Sequence, residues 1–155
     1  PLEQPIAVPA IGRPPWLEPG IIMKLLDAGA WGILCPMVNN PDDAEALVRA
    51  CHYAPRGYRS VGPTRAMMAY GPSYIQEANR HVITLAMIET REAFDNVEAI
   101  ARTPDLTGLY IGPSDLAQSL GHPIQLDPTG AEMTAAIERI LGAAKAAGIK
   151  AGSTA

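Results

Sequence analysis

The chain has 155 residues, one domain's worth by length, and 48% of them are apolar, enough for a sizeable core. A net charge of −4 with no basic block argues against nucleic acid as a partner, because phosphate binding needs clustered Lys and Arg. No segment approaches the ~20 apolar residues of a membrane span, and Cys35 and Cys51 form no CxxC pair, so the expectation is a cytoplasmic protein with no disulfide.

The period alternates between strand and helix along the chain. The start, Pro1-Leu2-Glu3-Gln4-Pro5, lacks the charged and apolar stretches of a secretory leader. Ile6-Ala7-Val8 reads as a short strand. Pro19 to Ala28 reads as a helix stopped by Gly29, and Trp31 to Val38 as a buried strand. Asn40 is placed to cap the next helix, with Pro41 at its first position and acids in its first turn. Residues 54 to 72 break the rhythm as a long loop with a helical piece near Arg65 to Ala69, and Ser73 to Asn79 reads as a short helix. Then come a strand from Val82 to Glu89, a helix from Thr90 to Ala101 and a strand from Leu106 to Ile111. Pro113 to Leu120 reads as a loop with a helical turn, and Pro128 to Ala147 as a long amphipathic helix. A strand begins at Ile149 and is cut short by the end of the chain, so both ends suggest a slice of something longer.

Successive strands separated by helices imply right-handed crossovers and a parallel sheet. The apolar runs predict strands covered on both faces. About five strands suit either a small doubly wound sheet or most of an eight-stranded barrel, whose usual size is ~250 residues.

Two carboxylates carry the strongest chemical signal. Glu89 ends one apolar run, and Asp115 follows the next across Gly112-Pro113-Ser114, 26 positions later. That is close to the roughly 30 residues of one βα unit. On neighbouring parallel strands both acids sit at carboxyl ends, side by side, where hard oxygen donors suit a divalent cation such as Mg²⁺ or Mn²⁺. Gly112 would let backbone approach a ligand closely, and the N–H groups of Ser114 and Asp115 are placed to receive a carboxylate. Arg13, shortly after the first strand, offers a fork to a carboxylate or a developing enolate; the bland alternative is a surface arginine. The loop arginines Arg56, Arg59 and Arg65 suit an anionic substrate, a subunit contact or plain solvation. His52, His81 and His122 have no metal-ligand spacing, and no lysine is placed for a Schiff base.

Met87-Ile88-Glu89-Thr90 followed by Ile111-Gly112-Pro113-Ser114-Asp115-Leu116 resembles the HpcH/HpaI aldolase family, the class II metal-dependent pyruvate aldolases. The resemblance continues through Arg13-Pro14-Pro15-Trp16, Leu25-Leu26-Asp27-Ala28-Gly29, Pro36-Met37-Val38 and Arg59-Ser60-Val61-Gly62, nearly the whole chain. It implies an α/β fold, the (β/α)8 TIM barrel. This chain, residues 1–155, would be a single-domain segment of about five parallel βα units lacking the barrel's first strands and its last. It also implies a divalent ion (Mg²⁺, Mn²⁺ or Co²⁺) held by Glu89 and Asp115, substrate held at Ser114 and Asp115, and an enolate oxygen stabilised by Arg13. Asp27 matches an aspartate that supports a catalytic histidine in the family. That histidine would lie upstream of Arg13, and none is found there. Met87 stands where the family often has a substrate-contacting Gln.

What the resemblance implies in chemistry is cleavage of a 4-hydroxy-2-oxo acid to pyruvate and an aldehyde, within a homo-oligomer, commonly a hexamer. Three alternatives stand beside it: a citrate-lyase-like enzyme acting on acyl-CoA thioesters, a non-catalytic interaction protein built from a truncated barrel, and a flavodoxin-like open sheet.

Overall fold

The computed structural model describes residues 9–124 and 130–153. The expected strand Ile6-Ala7-Val8 and the expected helix start at Pro128 lie outside them. The chain runs β1 (Ile11–Gly12), α1 (Pro19–Asp27), β2 (Gly32–Cys35), α2 (Pro41–Cys51), α3 (Thr64–Tyr70), α4 (Tyr74–His81) and β3 (Ile83–Ile88). It continues through α5 (Arg91–Asp95), α6 (Val97–Ala101), β4 (Gly108–Ile111), α7 (Pro113–Ser119), α8 (Ala131–Ala147) and β5 (Lys150–Ser153).

Local chemistry sets most of these boundaries. Asn40 caps α2 by accepting from the Asp43 N–H at 2.9 Å, with Pro41 in the first turn. Glu18 caps α1 by accepting from the N–H groups of Gly20 and Ile21. Gly148 ends α8 in the left-handed conformation, φ 74°, that costs glycine nothing. The expected single helix from Thr90 to Ala101 is two. Thr90 caps α5 as its sequence suggests, but the backbone breaks at Asn96, whose side-chain amide donates to the Asn39 carbonyl at 3.1 Å. The turn after Gly112 is a full helix, α7, rather than a loop with a helical turn.

All five strands are parallel and lie side by side in chain order, β1-β2-β3-β4-β5. Doubly wound sheets reverse strand order at a switch point, and the flavodoxin-like order begins 2-1-3. The unbroken order here excludes that alternative and is the order of a (β/α)8 barrel wall.

Within the described residues, helices pack on one face of the sheet. Register and pleat put Ile33, Cys35, Ala86, Ile88, Leu109 and Ile111 on one face. Those six are essentially inaccessible and join Leu26, Leu47, Val97, Leu116 and Ile140 of the helices in the core. Leu34, Leu85 and Tyr110 on the other face are only half-buried. Helices therefore cover one face, and the second carries the residues that lead to Glu89.

Candidate active site

Glu89 continues the inner-face series Ile83, Leu85, Met87. Ile88 pairs with Ile111 across β3 and β4, so the next residues, Glu89 and Gly112, come abreast at the strands' carboxyl ends. They touch. A Cβ on Gly112 would stand 2.9 Å from the Glu89 Cβ, 3.2 Å from its Oε2 and 3.3 Å from the Met87 Cε. Only a glycine leaves that carboxylate its present place.

Glu89 is buried, with 2% of its surface exposed. Its Oε1 accepts the Met37 N–H at 2.7 Å. Met37 follows β2 and lies in the left-handed region at φ 56°, uncommon for a side-chain-bearing residue. The pair joins positions 52 apart in the chain. Burial raises the Glu89 carboxyl above its ordinary range and the Asp115 charge adds to that, while the Met37 N–H and Arg13 act against it.

Asp115 is exposed in the first turn of α7, two positions beyond Pro113. Ser114 beside it is half-buried. Arg13 follows β1 directly and is exposed, and its charge reaches both Glu89 and Cys35. Met87 is buried on the inner face beside Gly112. One strand-end face thus gathers Arg13, Met87, Glu89, Gly112, Ser114 and Asp115. Two acids, one of them buried with its charge resisted by burial, make a place that a divalent cation or a proton stabilises. Among the described residues no group of three or more His, Cys, Asp or Glu is gathered as a metal cluster.

Asp27 is not at that face. It ends α1, which runs back from the carboxyl end of β1 to the start of β2. Its Oδ1 accepts from Arg59 at 2.7 Å. Arg59 was expected in a substrate-binding, subunit-contacting or solvated loop, yet it is buried at 3% exposure and stacks over the Tyr53 ring at 4.5 Å. Arg56 pairs with Asp105 at 2.6 Å on the surface, and Arg65 is exposed. A cavity of about 590 Å³ lined by Trp31, Tyr70, Tyr74 and His81 opens at the same strand-start end, away from the carboxylates.

The histidines have partners of their own. His52 is buried at the end of α2 with its Nδ1 against the Val48 carbonyl at 2.7 Å. His81 is exposed at the end of α4, and His122 lies 3.1 Å from the Glu132 carboxylate. Both cysteines are buried free thiols, and burial first of all pushes Cys35 up to about 12. Among the described residues no helix is long and apolar enough to cross a membrane.

Two positions escaped the sequence reading. Met37 carried no assigned role, because its contact with Glu89 is a backbone one set by tertiary structure. Arg59 looked like a loop cation; aromatic residues at 53 and 74 were the only trace of its burial.

Comparison with known proteins adds the lineage. The family model for HpcH/HpaI aldolase/citrate lyase matches residues 3–154. A hydroxypyruvate/pyruvate aldolase of Rhizorhabdus wittichii is 48% identical over 135 residues, 87% of this chain and 54% of that protein. A 4-hydroxy-2-oxo-heptane-1,7-dioate aldolase of Klebsiella pneumoniae is 42% identical over 144 residues, 88% of this chain and 54% of that protein. Among solved structures, an HpcH/HpaI aldolase/citrate lyase family protein of Burkholderia cenocepacia J2315 is similar with a TM-score of 0.84 and 36% identity, over 94% of this chain and 58% of that one. The chain spans about half the length of the curated relatives it matches.

Proposed function

Because this chain belongs to the HpcH/HpaI aldolase/citrate lyase family, we propose that the full-length protein is a metal-dependent aldolase that splits 4-hydroxy-2-oxo acids into pyruvate and an aldehyde. One observation carries the reading: a buried glutamate, seated against a glycine and held by a backbone N–H, shares a strand-end face with a second acid and an exposed arginine.

Glu89 and Asp115 would hold Mg²⁺, Mn²⁺ or Co²⁺. The donor set fits a hard cation: Oε1 of Glu89 is already bonded, Oε2 faces the Gly112 backbone, and burial penalises the carboxylate while it lacks a positive partner. Such an ion, when bound, supplies Lewis-acid polarisation of the substrate's carbonyl.

The chain's own groups do the rest. The backbone at Ser114 and Asp115 receives the 2-oxo acid's carboxylate, beside Gly112. Met87 supplies an apolar wall against the substrate. The C3–C4 bond breaks, its electron pair passes to the pyruvate enolate, and the 4-hydroxyl loses its proton as the aldehyde forms. Arg13 faces the enolate oxygen as charge grows there. The enolate then takes a proton at C3 to give pyruvate. A base must take the hydroxyl proton; by the family resemblance it would be a histidine upstream of Arg13.

Asp27 lies at the far end of the sheet, so its catalytic assignment requires a second copy of the chain, whose site it would complete within a homo-oligomer such as a hexamer. The segment is read as one piece of a single (β/α)8 domain. Two free thiols fit a cytoplasmic setting.

The test is pyruvate release from 4-hydroxy-2-oxo acids by the full-length protein and its Glu89→Gln variant. Release by the wild type with loss in the variant is the expected result. Undiminished release in the variant sinks the assignment, and turnover of CoA thioesters in place of free acids redirects it to citrate-lyase-like chemistry.

A further inference from the structure

The acid at the end of α1 is in an unfavourable place. A helix C-terminus carries partial negative charge and favours cations over carboxylates. Asp27 nevertheless sits there with 29% of its side chain exposed, bonded through Oδ1 to a guanidinium that has no exposure at all. Burying that guanidinium is costly. Its Nε has no partner among the described residues, and neither has the buried hydroxyl of Tyr53 beneath it.

The surroundings fix the plane of the guanidinium instead. It stacks 4.5 Å over the Tyr53 ring and lies 5.7 Å from the Tyr74 ring. Both terminal nitrogens donate to the Tyr74 hydroxyl at 3.3 Å. The Arg59 backbone N–H is itself bonded to the His52 carbonyl at 2.9 Å. One of the two terminal nitrogens then meets Asp27 at 2.7 Å.

We propose that Arg59 is a positioning residue: clamped between Tyr53 and Tyr74, it holds Oδ1 of Asp27 so that the other carboxylate oxygen is presented outward to a donor beyond this chain's own core. This rests on the reading of Asp27 as a site residue. Arg59 touches no substrate. It sets the direction of the group that supports proton transfer, which matters because small misplacements of such groups cost large factors in rate.

The experiment measures pyruvate release by the full-length protein with Arg59→Met, Arg59→Lys, Asp27→Asn and the Asp27→Asn/Arg59→Met double variant. Arg59→Met is expected to lower kcat about tenfold to a hundredfold, as loss of groups that orient a functional side chain does, with KM changed less than about twofold. Arg59→Lys keeps charge but loses the planar fork, so it should recover part of the rate. It also serves where Arg59→Met fails to fold. The double variant should be no slower than Asp27→Asn alone, because both substitutions remove one unit. Full kcat in both Arg59 variants beside a slow Asp27→Asn overturns the proposal, as does a double variant whose losses multiply. An Asp27→Asn variant with full kcat overturns it too and removes Asp27 from the site, while the Glu89→Gln result still decides separately whether the aldolase reading holds.

Discussion

Gly112 and Glu89 meet closely enough that no side chain fits between them: a Cβ on Gly112 would lie 2.9 Å from the Glu89 Cβ and 3.2 Å from Oε2. Gly112→Ala therefore pushes the glutamate from its seat. The expected cost in stability is about 1–3 kcal/mol, that of overpacking. The expected cost in pyruvate release is larger, since Oε2 is the oxygen that moves. Denaturant unfolding and steady-state kinetics measured together check this. An alanine variant with full activity would show that the close approach is incidental.

Met37 stands at φ 56° with its N–H on Glu89. The left-handed region costs a side-chain-bearing residue about 1–2 kcal/mol. Met37→Gly keeps the N–H and removes that cost, so it should leave both stability and kcat close to wild type. Met37→Val adds a β-branched side chain where one is least tolerated. It should lose about 1–2 kcal/mol or more and weaken activity by disturbing the N–H. Equal behaviour of the two variants in urea unfolding would contradict the strain argument.

Glu89 titrates in the opposite sense from a paired surface acid. Burial, with the Asp115 charge, raises its folded value above the ordinary 4.5. Between the unfolded and folded values the folded state binds more protons, so stability falls as pH rises through that window. The contribution is fully present below the unfolded value and lost above the folded one. Without added metal, Glu89→Gln should flatten this fall and be the more stable form at neutral pH. Adding Mg²⁺ or Mn²⁺ at about 100 times its dissociation constant should stabilise the wild type by about 2.7 kcal/mol and the variant much less. Equal stabilisation of both in thermal melts would place the ion elsewhere.

Arg13 is exposed, so its removal costs the fold little. Arg13→Met should leave the melting temperature nearly unchanged and reduce kcat about 10²–10³-fold, the scale of losing one donor to a developing oxyanion. A loss confined to KM would reassign Arg13 to ground-state binding of the substrate.

Much of the scaffold could be read from local signals. Asn40 with Pro41 announced α2, Thr90 announced α5, and the apolar runs ending at Ile88 and Ile111 put Glu89 and Gly112 at strand ends. What escaped depended on partners far along the chain. Asn96 breaks its helix because Asn39 accepts its amide. Met37 reaches Glu89 only once β2 and β3 are in register. Arg59 looks solvated until Tyr53 and Tyr74 close over it. The motif order grouped Asp27 with Arg13 and Glu89, but order in sequence does not say which end of a helix faces which end of a sheet.

The sheet divides labour along each strand by odd and even positions. In β3, Ala86 and Ile88 anchor the helices, while Met87 and Glu89 face the other way. Neighbours one bond apart thus answer to different selective demands. A substitution at 86 or 88 meets the helices, while one at 87 meets the opposite face. A scaffold with that interleaving lets new chemistry be tried one alternate residue at a time.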